Sequence, residues 1–252
     1  MRRVGIALAS ALAIFLLALG ALAYATFAGR RPLEARTADG VHTVVDGIVA
    51  VSIIPTPGGA LLVDCGNDPE GTALIGALGA QGLAPGDVAG ILLTHGHADH
   101  VGACHRFPQA RIVSLAEEVD HIEGREKPRG PLPRLVPLAA RPFSVTDPLR
   151  DGDRIELGGA TVEALHLPGH TAGSAAYLVD GVLFLGDSAT ISSDGQTLYA
   201  APWAFTDSTV TNRAALVALA QRLRPRTDEI RALHFSHSGP ASGLGPLLRF
   251  AP

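Results

Sequence analysis

Residues 94–100 read Thr94, His95, Gly96, His97, Ala98, Asp99, His100, so three imidazoles and a carboxylate fall within six consecutive positions. Neutral imidazole and carboxylate oxygen are the donors a borderline ion such as zinc accepts, and an apolar core has no use for them at that density. A segment of this kind belongs at the rim of a folded unit, held by something rigid, so it constrains the fold as well as the chemistry. The rigid element is legible next to it. Residues 89–93 form an apolar run that leads directly into Thr94 and His95, as a strand ending in a ligand-bearing loop.

The remainder of the chain repeats that pattern. Short β-type runs at 41–45, 48–54 and 60–63 are divided by Asp46-Gly47 and Pro57-Gly58-Gly59, which predicts an antiparallel meander. Asp64 stands just past the third run, and residues 69–82 have helical spacing. After His100 a short helical stretch reaches about residue 107 and residues 110–114 return as a strand. Residues 122–149 carry Pro128, Pro131, Pro133, Pro137, Pro142 and Pro148, which exclude a continuous helix or a central strand. A long irregular segment of this kind reads either as a loop that borders substrate access or as an inert surface excursion.

Two hairpins follow, 154–157 with 161–166 around Gly158-Gly159 and 174–179 with 182–185 around Asp180-Gly181. An amphipathic helix is expected over 207–223 with Asp207 near its start, and a last strand over 230–235. Strands followed by helices occur twice, which suits two packed sheets with helices outside. His95, His170, Asp187 and His237 each stand where a strand-type run ends, so residues far apart in the chain can meet along one edge.

Length and charge narrow the function class. Of 252 residues, the first 31 read as a signal peptide or N-terminal membrane anchor and 32–252 as the catalytic domain. The leader has Arg2 and Arg3, then an uncharged apolar run over 4–28, then Arg30 and Arg31; a run of that length can cross about 30 Å of hydrocarbon. The segment is either cleaved, with small-residue sites at 21–25, or kept as a tether. The expected location is therefore outside the cytoplasm: periplasmic, secreted, or anchored facing outward. A formal charge of -4 and the absence of a basic tract argue against a nucleic-acid partner. Cys65 and Cys104 are either one disulfide or two small buried residues.

With these residues in place, the chain resembles the metallo-β-lactamase superfamily. The resemblance rests on Asp64 in Leu62-Val63-Asp64-Cys65-Gly66, on residues 94–100, on Gly169-His170-Thr171, on Gly186-Asp187 and on His237. It implies an α/β (α+β) fold, a four-layer αββα sandwich, with a dinuclear site between the sheet edges. Carried over, His95, His97 and His170 would hold one metal, Asp99, His100 and His237 the second, and Asp187 would bridge them. Asp64 would orient a ligand histidine from behind. The chain departs from the family pattern at Ser236-His237-Ser238, where a glycine is usual, so His234 is a rival ligand; its side chain is expected on the opposite face of the strand. His42, His105, His121 and His166 match no ligand position and read as surface or packing histidines.

The resemblance implies two divalent ions, zinc first with iron or manganese as alternatives, and hydrolysis by a metal-held hydroxide with Asp99 guiding a proton to the leaving group. Neither a further helical domain of the glutathione-thioester hydrolase kind, since fifteen residues follow His237, nor a nuclease or flavodoxin domain is expected. An ester, thioester or lactone is then the expected small-molecule substrate. The alternatives are an exported β-lactamase acting on lactams, a mononuclear iron enzyme of the glyoxalase II or persulfide dioxygenase kind, and a non-catalytic metal-binding module.

Overall fold

Alternation along single strands builds the layers. In a strand, successive side chains point to opposite faces, so a run that is apolar throughout must be covered on both sides. Residues 60–63 and 91–93 are such runs: Ala60, Leu62, Ile91 and Leu93 pack on one face, and Leu61, Val63 and Leu92 on the other. The same holds for 175–179, where Ala176 and Leu178 face one way and Ala175, Tyr177 and Val179 the other.

The computed structural model describes Ala13, Ile14, Leu16, Leu17, Gly20, Tyr24 and residues 28–135 and 141–251. The first sheet runs in chain order: β1 (Arg36–Ala38), β2 (Val41–Asp46), β3 (Val49–Thr56), β4 (Gly59–Val63), β5 (Val88–Leu92), β6 (Arg111–Leu115) and β7 (Asp147–Leu149). Strands β1 to β4 pair antiparallel, and β4 to β7 pair parallel. The three parallel crossovers carry α1 (Thr72–Ala80), α2 (Ala98–Val101) and α3 (Val119–Ile122).

The second half contains β8 (Arg154–Leu157), β9 (Ala160–His166), β10 (Ala175–Val179), β11 (Val182–Phe184), a small separate hairpin of β12 (Ala189–Ile191) and β13 (Leu198–Ala200), and then α4 (Thr209–Leu223), β14 (Ala232–His234), β15 (Ala241–Ser242) and α5 (Gly245–Leu248). Its sheet has the order β15-β14-β11-β10-β9-β8, with β14 parallel to β11.

Three apolar clusters fill the gaps between layers. One lies between α1 to α3 and the first sheet, with Leu74, Leu78, Val101 and Ile122 against Ile53, Leu62 and Ile91. A second lies between the sheets, where Leu61, Leu92 and Val113 meet Val162, Tyr177 and Phe184. The third joins the second sheet to α4 through Leu216, Leu219 and Leu223. This is the expected αββα sandwich, and its ligand-bearing loops leave the strands at one common edge.

Several local expectations need adjustment. The helix over 207–223 starts at Thr209, capped by Ser208, whose Oγ accepts from the Thr211 N–H at 3.2 Å; Asp207 instead accepts from the Arg129 N–H at 3.1 Å. Pro148 does lie in a strand, but in β7 at the edge of the sheet, where a missing N–H is tolerated. The strands β1, β12, β13 and β15 are two or three residues long and carry no periodic signal. The apolar leader over 4–28 falls largely outside the described residues, as do 136–140 with Pro137. Among the described residues no helix is long and apolar enough to cross a membrane.

Cys65 and Cys104, which the spacing left open, are joined in a disulfide with a Cα–Cα distance of 5.3 Å. The bond ties the loop after β4 to the turn after α2, and backbone hydrogen bonds run beside it, Cys65 N–H to His100 O at 2.7 Å and Gly102 N–H to Gly66 O at 2.8 Å. A cross-link over a sequence separation of 39 restricts the unfolded chain considerably. Replacing both cysteines by alanine is expected to lower stability by about 2–4 kcal/mol in urea unfolding, and equal midpoints for the two proteins would rule the bond out as a stabilising element.

Candidate metal centre

Two groups of donors lie at the edge where β5, β9, β11 and β14 run out. The first is His95, His97, His170 and Asp187; the second is Asp99, His100 and His237. Within each group the donor atoms lie within 4.8 Å of one another. His95 and Asp187 come three residues after β5 and β11 end, His170 four after β9 and His237 three after β14. All seven ligand residues expected from the sequence are therefore brought together, four from the first sheet's loops and three from the second's.

In the first group three ring nitrogens form a triangle. His95 Nε2 is 3.0 Å from His97 Nδ1, and His170 Nε2 is 3.1 Å from each. Ligand nitrogens on a tetrahedral zinc, at bonds of 2.0–2.1 Å, stand about 3.3 Å apart, close to this spacing. For His95 the opposite ring nitrogen shows that the lone pair points inward. Thr94 Oγ1 donates to the Asp64 carboxylate, so it can only accept from His95 Nδ1 at 3.0 Å, which leaves His95 Nε2 unprotonated. Thr206 Oγ1 likewise donates to Pro202 O at 2.7 Å and faces His170 Nδ1 at 3.5 Å.

The second group is built the same way. His100 Nδ1 donates to Asp64 Oδ2 at 2.8 Å, and His237 Nδ1 donates to the Ile48 carbonyl at 2.7 Å, so both Nε2 atoms face the site. Asp187 stands between the groups. Its Oδ2 is 3.5 Å from His170 Nε2 and 3.1 Å from His237 Nε2, and its Oδ1 is 3.4 Å from His100 Nε2. Asp99 Oδ2 lies 3.3 Å from His237 Nε2 and 3.6 Å from His100 Nε2.

Fit to a cation can be tested on the buried atoms. His97 Nε2, His100 Nε2 and Asp187 Oδ1 are buried and lack a well-formed hydrogen bond among the described residues. Such atoms are costly to leave unpaired, and the last two point at the second donor group. The donor chemistry, imidazole nitrogen and carboxylate oxygen, suits a divalent ion.

Electrostatics separate the groups. Burial and the neighbouring imidazoles hold His95 and His97 well below the usual histidine range, and burial takes His170 down to about 4. Burial acts in the same direction on His100, but Asp187, Asp99 and Asp64 override it and hold that ring well above the usual range. For His237 burial is again opposed, chiefly by Asp187, and the pKa is raised to about 10. Burial would raise Asp99, but His100 and His237 bring it down to about 2, and the same two rings hold Asp187 well below the carboxylate range against burial.

The remaining histidines fall as expected from the sequence, with one exception. His234 is buried on the far side from the donors, with Nε2 3.7 Å from Asp39 Oδ2 and its ring against Phe184; it joins neither donor group, and His237 takes that place. His42 bonds to Thr37 Oγ1 and His166 faces the Ala172 carbonyl. His121 is the exception, since its ring meets that of His97 edge to face at 5.4 Å. Thr94 and Thr206 hold the ligand rings, roles that a lone hydroxyl residue does not announce.

The irregular segment does border the site. Gly130 packs against Phe205 and Thr206, and the Leu132 N–H donates to Ala204 O at 2.9 Å, so residues 129–132 lie along the 202–207 stretch that supports His170.

Comparison with known proteins agrees with this geometry. Residues 44–233 match the sequence profile of the metallo-beta-lactamase superfamily. A hydroxyacylglutathione hydrolase of Vibrio cholerae is 38% identical over 101 residues, covering 38% of this chain and 31% of that protein. An uncharacterized protein of Mycobacterium tuberculosis is 32% identical over 151 residues, covering 55% of this chain and 66% of that one. The chain thus spans about a third to two thirds of the length of these curated relatives. Among solved structures, a metallo-beta-lactamase family protein from Thermus thermophilus superposes with a TM-score of 0.60 at 25% identity, over 82% of this chain and 76% of that one. A B3 metallo-beta-lactamase with an active-site glutamic acid superposes with a TM-score of 0.63 at 22% identity, over 87% and 86%, a likeness of fold. Sandwich, donor set and sequence profile together make the chain a member of the metallo-beta-lactamase superfamily.

Proposed function

We propose that the chain is a metal-dependent hydrolase that holds two divalent ions, zinc in the first instance, and cleaves a small ester, thioester or lactone. The observation that carries the reading is Asp187, whose Oδ2 lies between the two donor groups, 3.5 Å from His170 Nε2 and 3.1 Å from His237 Nε2, while its Oδ1 faces His100 Nε2 at 3.4 Å. A carboxylate that reaches donors of both groups suits a bridge between two ions.

His95, His97 and His170 would hold the first ion and Asp99, His100 and His237 the second. Ions held there supply Lewis acidity toward a carbonyl and lower the pKa of water toward neutrality. The rest is the work of side chains. His95, His100 and His237 are each oriented by a hydrogen bond on the ring nitrogen that faces away from the site. Asp99 is the most exposed carboxylate of the set at 23%, and it is the group placed to hand a proton to the leaving group.

The substrate class draws its support from the relatives, among which hydroxyacylglutathione hydrolases recur. Exposed apolar side chains nearby agree with an acyl substrate: Leu132 and Trp203 are exposed at 46% and 56% on the two stretches that run beside His170. An exported location belongs to the same proposal, supported by the Cys65–Cys104 disulfide, a bond that oxidising compartments preserve.

Metal analysis of the purified protein should give close to two ions per chain, and Asp187→Ala should lose at least one. A reproducible single ion would overturn the dinuclear part and point to a mononuclear iron enzyme. Assayed against a panel of thioesters, lactones and β-lactams, the protein is expected to turn over the first two classes; β-lactam hydrolysis alone would replace this reading with a lactamase.

His234 and His237 provide a second test. Burial pushes the His234 pKa down to about 4, with Asp39 opposing. The unfolded chain takes up that proton near 6.5 and the folded chain only near 4, so between those values the unfolded state binds more protons. This share of stability is complete above the window and declines as pH falls through it. His234→Gln should therefore soften acid unfolding between those values and leave the metal content unchanged, whereas His237→Ala should lose the second ion. The reverse metal result would make His234 the ligand.

A further inference from the structure

Asp64 supports His100 directly and His95 through Thr94, but it does not touch His170, which enters the first donor group from the other sheet. Something else must hold the loop of His95 and His97 against the loop of His170. Glu118 makes both contacts. It lies at the junction of the short helical turn 116–118 and α3, and is 1% exposed. Its Oε1 accepts from the Gly96 N–H at 2.9 Å, between the two histidines of the first loop. Its Oε2 accepts from the Gly173 N–H at 2.8 Å, three residues past His170. Oε1 also faces His121 Nδ1 at 2.7 Å.

The backbone is shaped around these contacts. A Cβ on Gly96 would stand 2.7 Å from the Ile122 nitrogen, and one on Gly173 would stand 2.5 Å from the Glu118 nitrogen. Both ligand loops are therefore glycine at the very residue whose N–H reaches the carboxylate, and any side chain there would push the loop away from residues 118–122. A buried carboxylate is costly unless its oxygens are well bonded, and here two amides and an imidazole satisfy them.

We propose that Glu118 is a positioning residue for the three-histidine metal group, a single carboxylate that clamps the His95–His97 loop to the His170 loop. The assignment rests on the metal reading above and goes beyond it, because Glu118 contacts no donor atom. Its side chain sets the spacing between histidines from opposite sheets. Its negative charge beside the group also favours a cation there. His121, oriented by the same carboxylate, packs its ring against His97 at 5.4 Å and keeps that ring in place.

The test is a titration of the metal-free protein with Co2+, following the ligand-field bands and competing with a chromophoric chelator. Glu118→Gln turns one acceptor oxygen into an N–H donor aimed at a glycine N–H, so one of the two loops is released. The expected result is that the three-histidine site binds Co2+ about 10–100-fold more weakly with shifted bands, the loss typical of removing a partner that orients ligands. An affinity for Glu118→Gln within about twofold of the parent, whatever its melting temperature, overturns the clamp while leaving the metal reading intact. Failure of the parent protein to bind Co2+ overturns the metal reading itself, and the clamp with it. Should Glu118→Gln not fold, amide exchange in the parent decides: the Gly96 and Gly173 N–H groups are expected to slow together on metal loading, and independent behaviour of the two overturns the proposal.

Discussion

The Asp64 carboxylate is fully buried at the end of β4, and the order of the donor cluster depends on it. Its oxygens accept from the Thr94 N–H at 2.8 Å, from the Thr94 hydroxyl, and from His100 Nδ1 at 2.8 Å. One side chain thus sets the tautomer of a ring in each donor group, His100 directly and His95 through the threonine. The residue is held with φ at 63°, in a left-handed conformation that aspartate tolerates better than most residues. Its own N–H is bonded to Leu92 O at 3.0 Å, which extends the β4–β5 pairing by one residue and turns the carboxylate under the following loop. The disulfide at the next position anchors that turn to the one that follows the helix carrying Asp99 and His100.

Asp64 and Glu118 divide the work by geometry. Asp64 sits beneath the first sheet's loop, where it can reach ring nitrogens that point away from the cleft. Glu118 sits at the side, where it meets backbone amides of two loops that have no covalent closeness. The first kind of contact selects protonation state, and the second sets distance. A donor group with bonds near 2.0 Å tolerates little error in either, so buried carboxylates behind the ligands are a physical requirement of such a site.

These two roles explain what was legible in the sequence. The candidate ligands could be singled out because few residue types bind metals, and because strand ends converge in a layered sandwich; His95, His170, Asp187 and His237 all follow that rule. His237 could be preferred over His234 from strand alternation and the position of the strand end, and the buried contact of His234 with Asp39 agrees. Asp64 could be read from its place after a strand. Glu118 could not. Its pattern, two glutamates after an apolar strand, is that of any solvated turn, and its partners are glycine amides 22 and 55 positions away. Hydrogen bonds to backbone leave no mark in side-chain composition. The disulfide stayed open for a similar reason, since two cysteines separated by 39 residues do not reveal whether their Cα atoms meet. Short strands such as β12 and β15 owe their existence to tertiary contacts, so no local periodicity announces them.

The donor set also bears on how the two sheets are held together. His95, His97, Asp99 and His100 come from loops of the first sheet, and His170, Asp187 and His237 from loops of the second. Contacts beside the cleft lace the same loops across the gap: Ala175 N–H to Thr94 O at 2.8 Å, Ala50 N–H to Ser236 O at 2.8 Å, and the Tyr177 hydroxyl to Leu93 O at 2.9 Å. The inter-sheet core and these bonds, together with the Glu118 contacts, bring the donors close to ligand spacing. A cation that completes either group binds donors from both sheets, since Asp187 reaches into each, and so acts as a cross-link at the open edge of the sandwich. Its binding free energy then adds to the cohesion of the sheets by mass action.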